Sequence, residues 1–255
     1  MAQVMKRGPV SGTAVKEERK SSPFLIEFYR SAVAKKWIMA LTGIMLMGFV
    51  FFHMVGNLKM YLGTTADGVY HLDEYGEFLR NLLVPILPRT VTLWLLRLGL
   101  IGAFALHIHA AYSLTIINRK ARPVTYQAKR DYVAANFASR TMRYTGVIFA
   151  LFLAWHLADF TWGFFNKGFV RGEVYRNVGA SLSYLPVALI YIAGNLALGI
   201  HLFHGAWSLF QSLGLNNPRF NKWRRLFATG FAVVVVAGNL SFVFAWLFGI
   251  LDKAV

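Results

Sequence analysis

Residues 36–61 read KWIMALTGIMLMGFVFFHMVGNLKMY. Between Trp37 and Leu58 there is no Asp, Glu, Lys or Arg. About 20 apolar-rich residues suffice to carry an α-helix across a bilayer, so this stretch predicts a membrane span. One ionisable side chain sits inside it, His53. An ionisable group within a membrane is costly to keep there and marks a functional site by default.

Four further stretches repeat the pattern, at residues 92–117, 141–166, 183–210 and 226–251. The expected fold is therefore all-α: an integral membrane five-helix bundle. Composition agrees. Hydrophobic residues make up 56% of the 255, charged residues only 15%, and mean hydropathy is +0.47. A soluble domain carries about 25% charged residues. Cysteine is absent, which excludes disulfides, thiolate-held iron–sulfur clusters and thiolate haem ligation within the chain. No internal repeat and no low-complexity segment stands out.

The net charge of +16 fits basic loops flanking membrane spans better than nucleic-acid binding. Eight Lys and Arg precede or open the first span, up to Lys36. Arg119, Lys120, Arg122, Lys129, Arg130, Arg140 and Arg143 gather between spans two and three, and Arg219, Lys222, Arg224 and Arg225 between spans four and five. Asp67, Asp73, Glu74 and Glu77 lie on the opposite side. The positive-inside rule puts the N-terminus in the cytoplasm and the C-terminus outside. Residues 1–35 read as a flexible basic cytoplasmic tail, and 36–255 as the membrane domain. No apolar region near the start resembles a cleaved signal, so the first span is expected to remain in the mature chain. Within the outer segment, DEYGEFLRNLLVPILP, near residues 70–88, reads as an amphipathic surface helix ended near Pro85 and Pro88.

Four spans carry histidines at matching depths. At about 1.5 Å of rise per residue, His53 and His156 lie roughly 7 Å outward of their span midpoints, and His109 and His201 the same distance inward. That makes two level pairs, roughly 10–15 Å apart along the membrane normal. Neutral imidazole is a strong haem-iron ligand, and two imidazoles close both axial positions. The pattern therefore predicts two bis-histidine haems suited to electron transfer. A single membrane histidine serves more often as a helix–helix hydrogen bond or a proton relay, so the quartet carries the reading.

Small residues line the expected haem faces: Gly102, Ala105 and Ser113 around His109, and Gly194, Ala197 and Gly205 around His201. Gly43 and Gly56 flank His53, and Gly146 and Gly163 flank His156. Helical spacing puts such residues on the histidine's own face, although they also mediate plain helix packing. His107 points nearly opposite His109, beside the bulkier Leu100 and Phe104.

Haem propionates call for basic or hydrogen-bonding partners: Arg140, Arg143 and His204 on the inner side, Arg97 on the outer. Asp159, one turn beyond His156, could orient that imidazole, carry protons, or simply stand in solvent at the outer face. His71 falls in the outer loop, where solvent reaches it. His201 and His204 have a spacing that could bind metal, but no third ligand lies nearby in the sequence, and no phosphate loop, nucleophile elbow or paired-carboxylate motif stands out.

The segments FFHMVGNLKMYLG around His53, HAAYSL from His109, AWHLADF around His156 and HLFHGAWSLF from His201 resemble the ligand segments of a known family. It is the cytochrome b membrane anchor of succinate dehydrogenase and fumarate reductase, in its five-span, dihaem, single-subunit form. The likeness covers about residues 25–250. In the last segment the ligand histidine stands six residues before the aromatic of GAW, which selects His201 over His204.

The resemblance implies pairing of His53 with His156 and of His109 with His201, two b haems, and a quinone of the menaquinone type. It implies a flavoprotein and an iron–sulfur protein docked on the cytoplasmic side, where succinate chemistry would reside, and a place in the bacterial cytoplasmic membrane. Quinone candidates are Ser31 and Trp37 on the inner side, Tyr61, Glu74 and Glu77 on the outer. Rival readings are a haem-b anchor of another respiratory dehydrogenase, and a haem-free transporter or proton channel. The lack of an internal repeat disfavours the latter.

Overall fold

The computed structural model describes residues 23–121, 137–215 and 217–251. Among these the protein is helical throughout, with one isolated bridge, Thr64 to Tyr70, and no strand. A short helix α1 (Phe24–Arg30) leads into α2 (Ala32–Asn57), which is extended by a 3-10 turn at Leu58–Leu62. Then come α3 (His71–Arg80), α4 (Val91–Lys120), α5 (Phe137–Phe160), α6 (Val174–Leu182), α7 (Leu185–Ser212) and α8 (Asn221–Leu247). The expected tail is thus helical from Phe24, and α2 begins a few residues before the expected first span. Ser31 sets that boundary, because its hydroxyl accepts from the Ala34 amide at 3.0 Å and caps α2.

Four helical stretches are long and apolar enough to cross a membrane: Ala32–Leu62, Val91–Lys120, Leu185–Ser212 and Pro218–Leu247. The third expected span coincides with α5, which is 24 residues long and carries Arg140 and Arg143 near its start and Asp159 near its end. Large apolar side chains face outward along the long helices, among them Leu95, Leu98 and Ile101 on α4 and Val233 and Val234 on α8. A soluble protein would bury such a surface; lipid covers it at no cost.

α7 holds the centre, packing against α8 on one side and α5 on another, while α4 packs against α2 and α2 reaches α7 and α8. Glycines allow these approaches. A Cβ at Gly194 would collide with the Phe152 ring, one at Gly199 with Val236, and one at Gly238 with Met54.

One end of the bundle is closed by α3 and α6. Tyr70 and Tyr175 stack with ring centres 3.8 Å apart, and Tyr175 meets the buried Trp246 of α8. The Asp73 carboxylate accepts from the Tyr175 amide at 2.9 Å, so a side chain on α3 satisfies a first-turn amide of α6. Burial pushes the Asp73 carboxyl up, against this hydrogen bond.

The amphipathic segment near 70–88 is helical over His71–Arg80 and stops at Asn81, before the prolines. Beyond it Leu83 and Thr90 take left-handed backbone, and Val84–Pro85 is cis. Glu77 holds this turn through Arg89 at 2.8 Å and Arg80 at 3.0 Å. The third expected span runs six residues past the end of α5 at Phe160, and α6 was not legible in the sequence as a separate helix.

Candidate functional site

Two pairs of histidines face each other between the helices, one pair at each end; His53 is exposed and the other three rings are half-buried. Near the α3–α6 cap, His53 of α2 and His156 of α5 stand with ring centres 5.9 Å apart and planes 75° apart. Toward the α1 end, the ring opposite His201 of α7 is His107 of α4, at 6.4 Å and 65°. The expected partner, His109, lies elsewhere. Two residues along a helix turn the side chain by about 200°, and His109 faces outward, stacked on Tyr29 of α1 at 6.0 Å and 4° with Nδ1 2.9 Å from the Tyr29 hydroxyl.

The glycines explain the exchange. The space beside each inner ring comes from a neighbouring helix, not from the histidine's own. A Cβ at Gly43 of α2 would lie 3.5 Å from His107 Cε1, and a Cβ at Gly146 of α5 would lie 3.3 Å from His201 Cε1. Gly43 precedes His53 by ten residues and Gly146 precedes His156 by ten, about 15 Å of helix each. Both glycines therefore serve the inner level, although the sequence associates them with the outer histidines. Gly56 instead receives the Tyr75 ring, and Gly163 occupies a left-handed turn under Phe169.

The geometry suits a metal held between imidazoles. Two metal–imidazole bonds of about 2 Å, with about 1 Å from each nitrogen to its ring centre, put ligating rings roughly 6 Å apart. Both pairs are near that value. The helices that carry each pair, α2 with α5 and α4 with α7, are not in extensive backbone contact, so the rings reach toward each other across an interhelical gap.

Hydrogen bonding selects a tautomer at His107. Thr42 gives its hydroxyl proton to the Ile38 carbonyl at 2.6 Å, so its oxygen accepts from His107 Nδ1 at 3.1 Å. His107 Nε2 is then unprotonated and free to ligate, the arrangement that orients metal-binding histidines. His201 Nδ1 is buried and makes no hydrogen bond of ordinary geometry; the Met142 carbonyl is its electrostatic neighbour. At the capped end the Asn57 amide meets His53 Nδ1 at 3.3 Å, and His156 is boxed by Phe152, Phe160 and Tyr191.

Residues 118–240 match the family model of the succinate dehydrogenase/fumarate reductase transmembrane subunit. The matched segment is a little under half of the chain and contains His156 and His201. No curated protein and no solved structure shows a significant match. The match supports membership of that succinate dehydrogenase/fumarate reductase family, and with the apolar helices it supports a multi-pass membrane protein.

As a candidate transmembrane subunit of that family, the chain has basic groups available at both ends. Arg97 is exposed, its guanidinium 5.1 Å from the Trp94 ring, and Arg143 is exposed on α5. The Arg140 side chain lies outside the described residues, and His204, one turn past His201, is half-buried. The quinone candidates are dispersed. Ser31 caps α2, Trp37 is exposed, and Tyr61 packs on Phe242. Glu74 bonds His71, and Glu77 is taken by its two arginines.

Sequence reasoning missed Tyr29 and Lys35. The buried Lys35 ammonium lies 3.2 Å from the Tyr29 ring centre, beside the Tyr29–His109 pair. Their spacing, Tyr29-x-Ser31-x-x-x-Lys35 at the mouth of the first span, was the available signal.

Proposed function

We propose that this chain is the dihaem cytochrome b anchor of a succinate:quinone oxidoreductase in a bacterial cytoplasmic membrane. It would have five spans, the N-terminus inside and the C-terminus outside. His53 and His156 would hold the outer haem b, and His107 and His201 the inner one. The observation that carries the reading is the pair of imidazole–imidazole separations near 6 Å across helices that do not pack together.

Bound haem would supply one-electron transfer. The chain's own residues do the rest. His53 with His156, and His107 with His201, would hold each iron between imidazoles and leave it closed to other ligands. Thr42 keeps His107 in the ligating tautomer. Phe152 and Phe160 pack against the His156 ring, and the outward-facing apolar surface would keep the path within lipid.

Basic loops on the cytoplasmic face would dock an iron–sulfur subunit and its flavoprotein, where succinate chemistry would occur. The quinone, of the menaquinone type, would take electrons within the membrane. Tyr29 with His109, and Ser31 at the start of α2, are the inner candidates for it, and Tyr61, packed on Phe242, is the outer one.

The test is purification of the complex from membranes with pyridine haemochrome quantification. Two haems per chain, unreactive to carbon monoxide, with flavoprotein and iron–sulfur subunits copurifying, are the expected result. A colourless chain would overturn the reading and is the result a haem-free transporter predicts. Haem with different partner subunits would move it to another respiratory dehydrogenase.

A further inference from the structure

Asp159 is an acidic side chain fully buried in an apolar bundle, 0% exposed. Among the described residues no cation pairs with it. Burying an acid without a cation costs stability unless its oxygens are satisfied, and both are. Ser181 of α6 donates to Oδ1 at 2.7 Å, and Tyr191 of α7 donates to Oδ2 at 2.9 Å. Asp159 therefore joins α5, α6 and α7 at one point.

That point stands one helical turn from His156, yet no hydrogen bond links the two. The link runs through Tyr191. Its ring centre lies 6.0 Å from that of His156, at 67°, and it also presses edge-on against Phe152 at 5.3 Å and lies 5.2 Å from Phe160. The hydroxyl of Tyr191 is committed to Asp159, so the phenol cannot rotate away from the imidazole without breaking a buried bond.

We infer that Asp159 is a positioning residue for His156. Through Tyr191 it fixes the wall against which the imidazole stands, and so sets the reduction potential and low-spin spectrum of the outer haem. The inference rests on the dihaem reading. It follows from the rule that groups around an axial ligand, and the burial of the site, tune the metal.

The test uses the complex purified with its partner subunits, and compares Tyr191→Phe, Asp159→Asn and Ser181→Ala by redox titration and low-spin electron paramagnetic resonance. Tyr191→Phe keeps the ring and removes only the bond to Asp159. Asp159→Asn leaves one of the two hydroxyls without an acceptor. Both should change the reduced-to-oxidised ratio of the outer haem at fixed poise by about threefold or more, which is about 28 mV for one electron. The inner haem should not move.

Ser181→Ala, which spares the Tyr191 bond, should leave both haems near the parent values. Loss of the outer haem alone in Tyr191→Phe would also support the inference. Full haem content with unchanged potentials and spectra in both Tyr191→Phe and Asp159→Asn would overturn it, and so would equal shifts of, or loss of, both haems. A parent complex without haem would sink the dihaem reading itself, a result distinct from any of these.

Discussion

Replacing His107 with Ala, and separately His109 with Ala, puts the inner pair to a direct test. His107 stands 6.4 Å from His201, flanked by the Gly43 gap and held by Thr42 at 3.1 Å, whereas His109 touches Tyr29. In the proposed dihaem arrangement His107→Ala would delete one of the two nitrogens that hold the inner haem and would touch nothing at the outer level. Haem per chain should fall from two to one.

His109→Ala removes a hydrogen bond at the α1 end, and both haems should remain. A milder change, Thr42→Val, removes the acceptor that orients His107. Loss of such a supporting partner lowers metal affinity about 10–100-fold, equivalent to about 1.4–2.7 kcal/mol. The assay is pyridine haemochrome per chain for the histidine variants, and haem retention during dilution for Thr42→Val. One haem lost in His109→Ala with two kept in His107→Ala would refute the ring geometry argued here.

Two glycines should respond oppositely to alanine. At Gly179 the new Cβ would lie 2.6 Å from the buried Trp246 ring, so overpacking should cost about 1–3 kcal/mol in detergent-solubilised unfolding. At Gly230 nothing stands within 4 Å, and the exchange in the interior of α8 should stabilise by roughly 0.5–1 kcal/mol. The arginines beside Glu77, Arg89 foremost and then Arg80, hold its carboxyl below the usual carboxylate range. Its contribution is present above the unfolded value of about 4.3 and lost as pH falls through the lower folded value. Hydrogen exchange across residues 81–90, corrected for intrinsic rates, should therefore rise on acidification, and Glu77→Gln should show the faster exchange already at pH 7.

Asp73 has the opposite sign. Burial raises its carboxyl, so the folded cap binds more protons than the unfolded chain and loses stability as pH rises through the raised value. Asp73→Asn should abolish that slope and keep an acceptor for Tyr175, whereas Asp73→Ala should also cost about 1 kcal/mol from the unsatisfied first turn of α6, readable by thermal unfolding.

The sequence by itself determined the helical membrane character, because long runs without charge, such as 37–58, have one economical solution in lipid. It also determined the levels at which histidines stand, since helix rise converts residue number to depth. Of the rings read this way, His53 and His156 face each other in the bundle, and His201 faces His107.

Depth could not separate His107 from His109, which differ by only about 3 Å along the axis. Their difference is angular, and a helix's angular setting is decided by what packs against it. The small-residue test that favoured His109 looked along its own helix, through Gly102 and Ala105, whereas the room for the ring came from Gly43 on α2. The same limitation hid Tyr191, 32 residues from Asp159, and Tyr175, 102 residues from Asp73. Spacing along one helix reports that helix's faces; which faces meet is a property of the assembled bundle, where glycine contacts and buried hydrogen bonds fix the rotation of each helix about its axis.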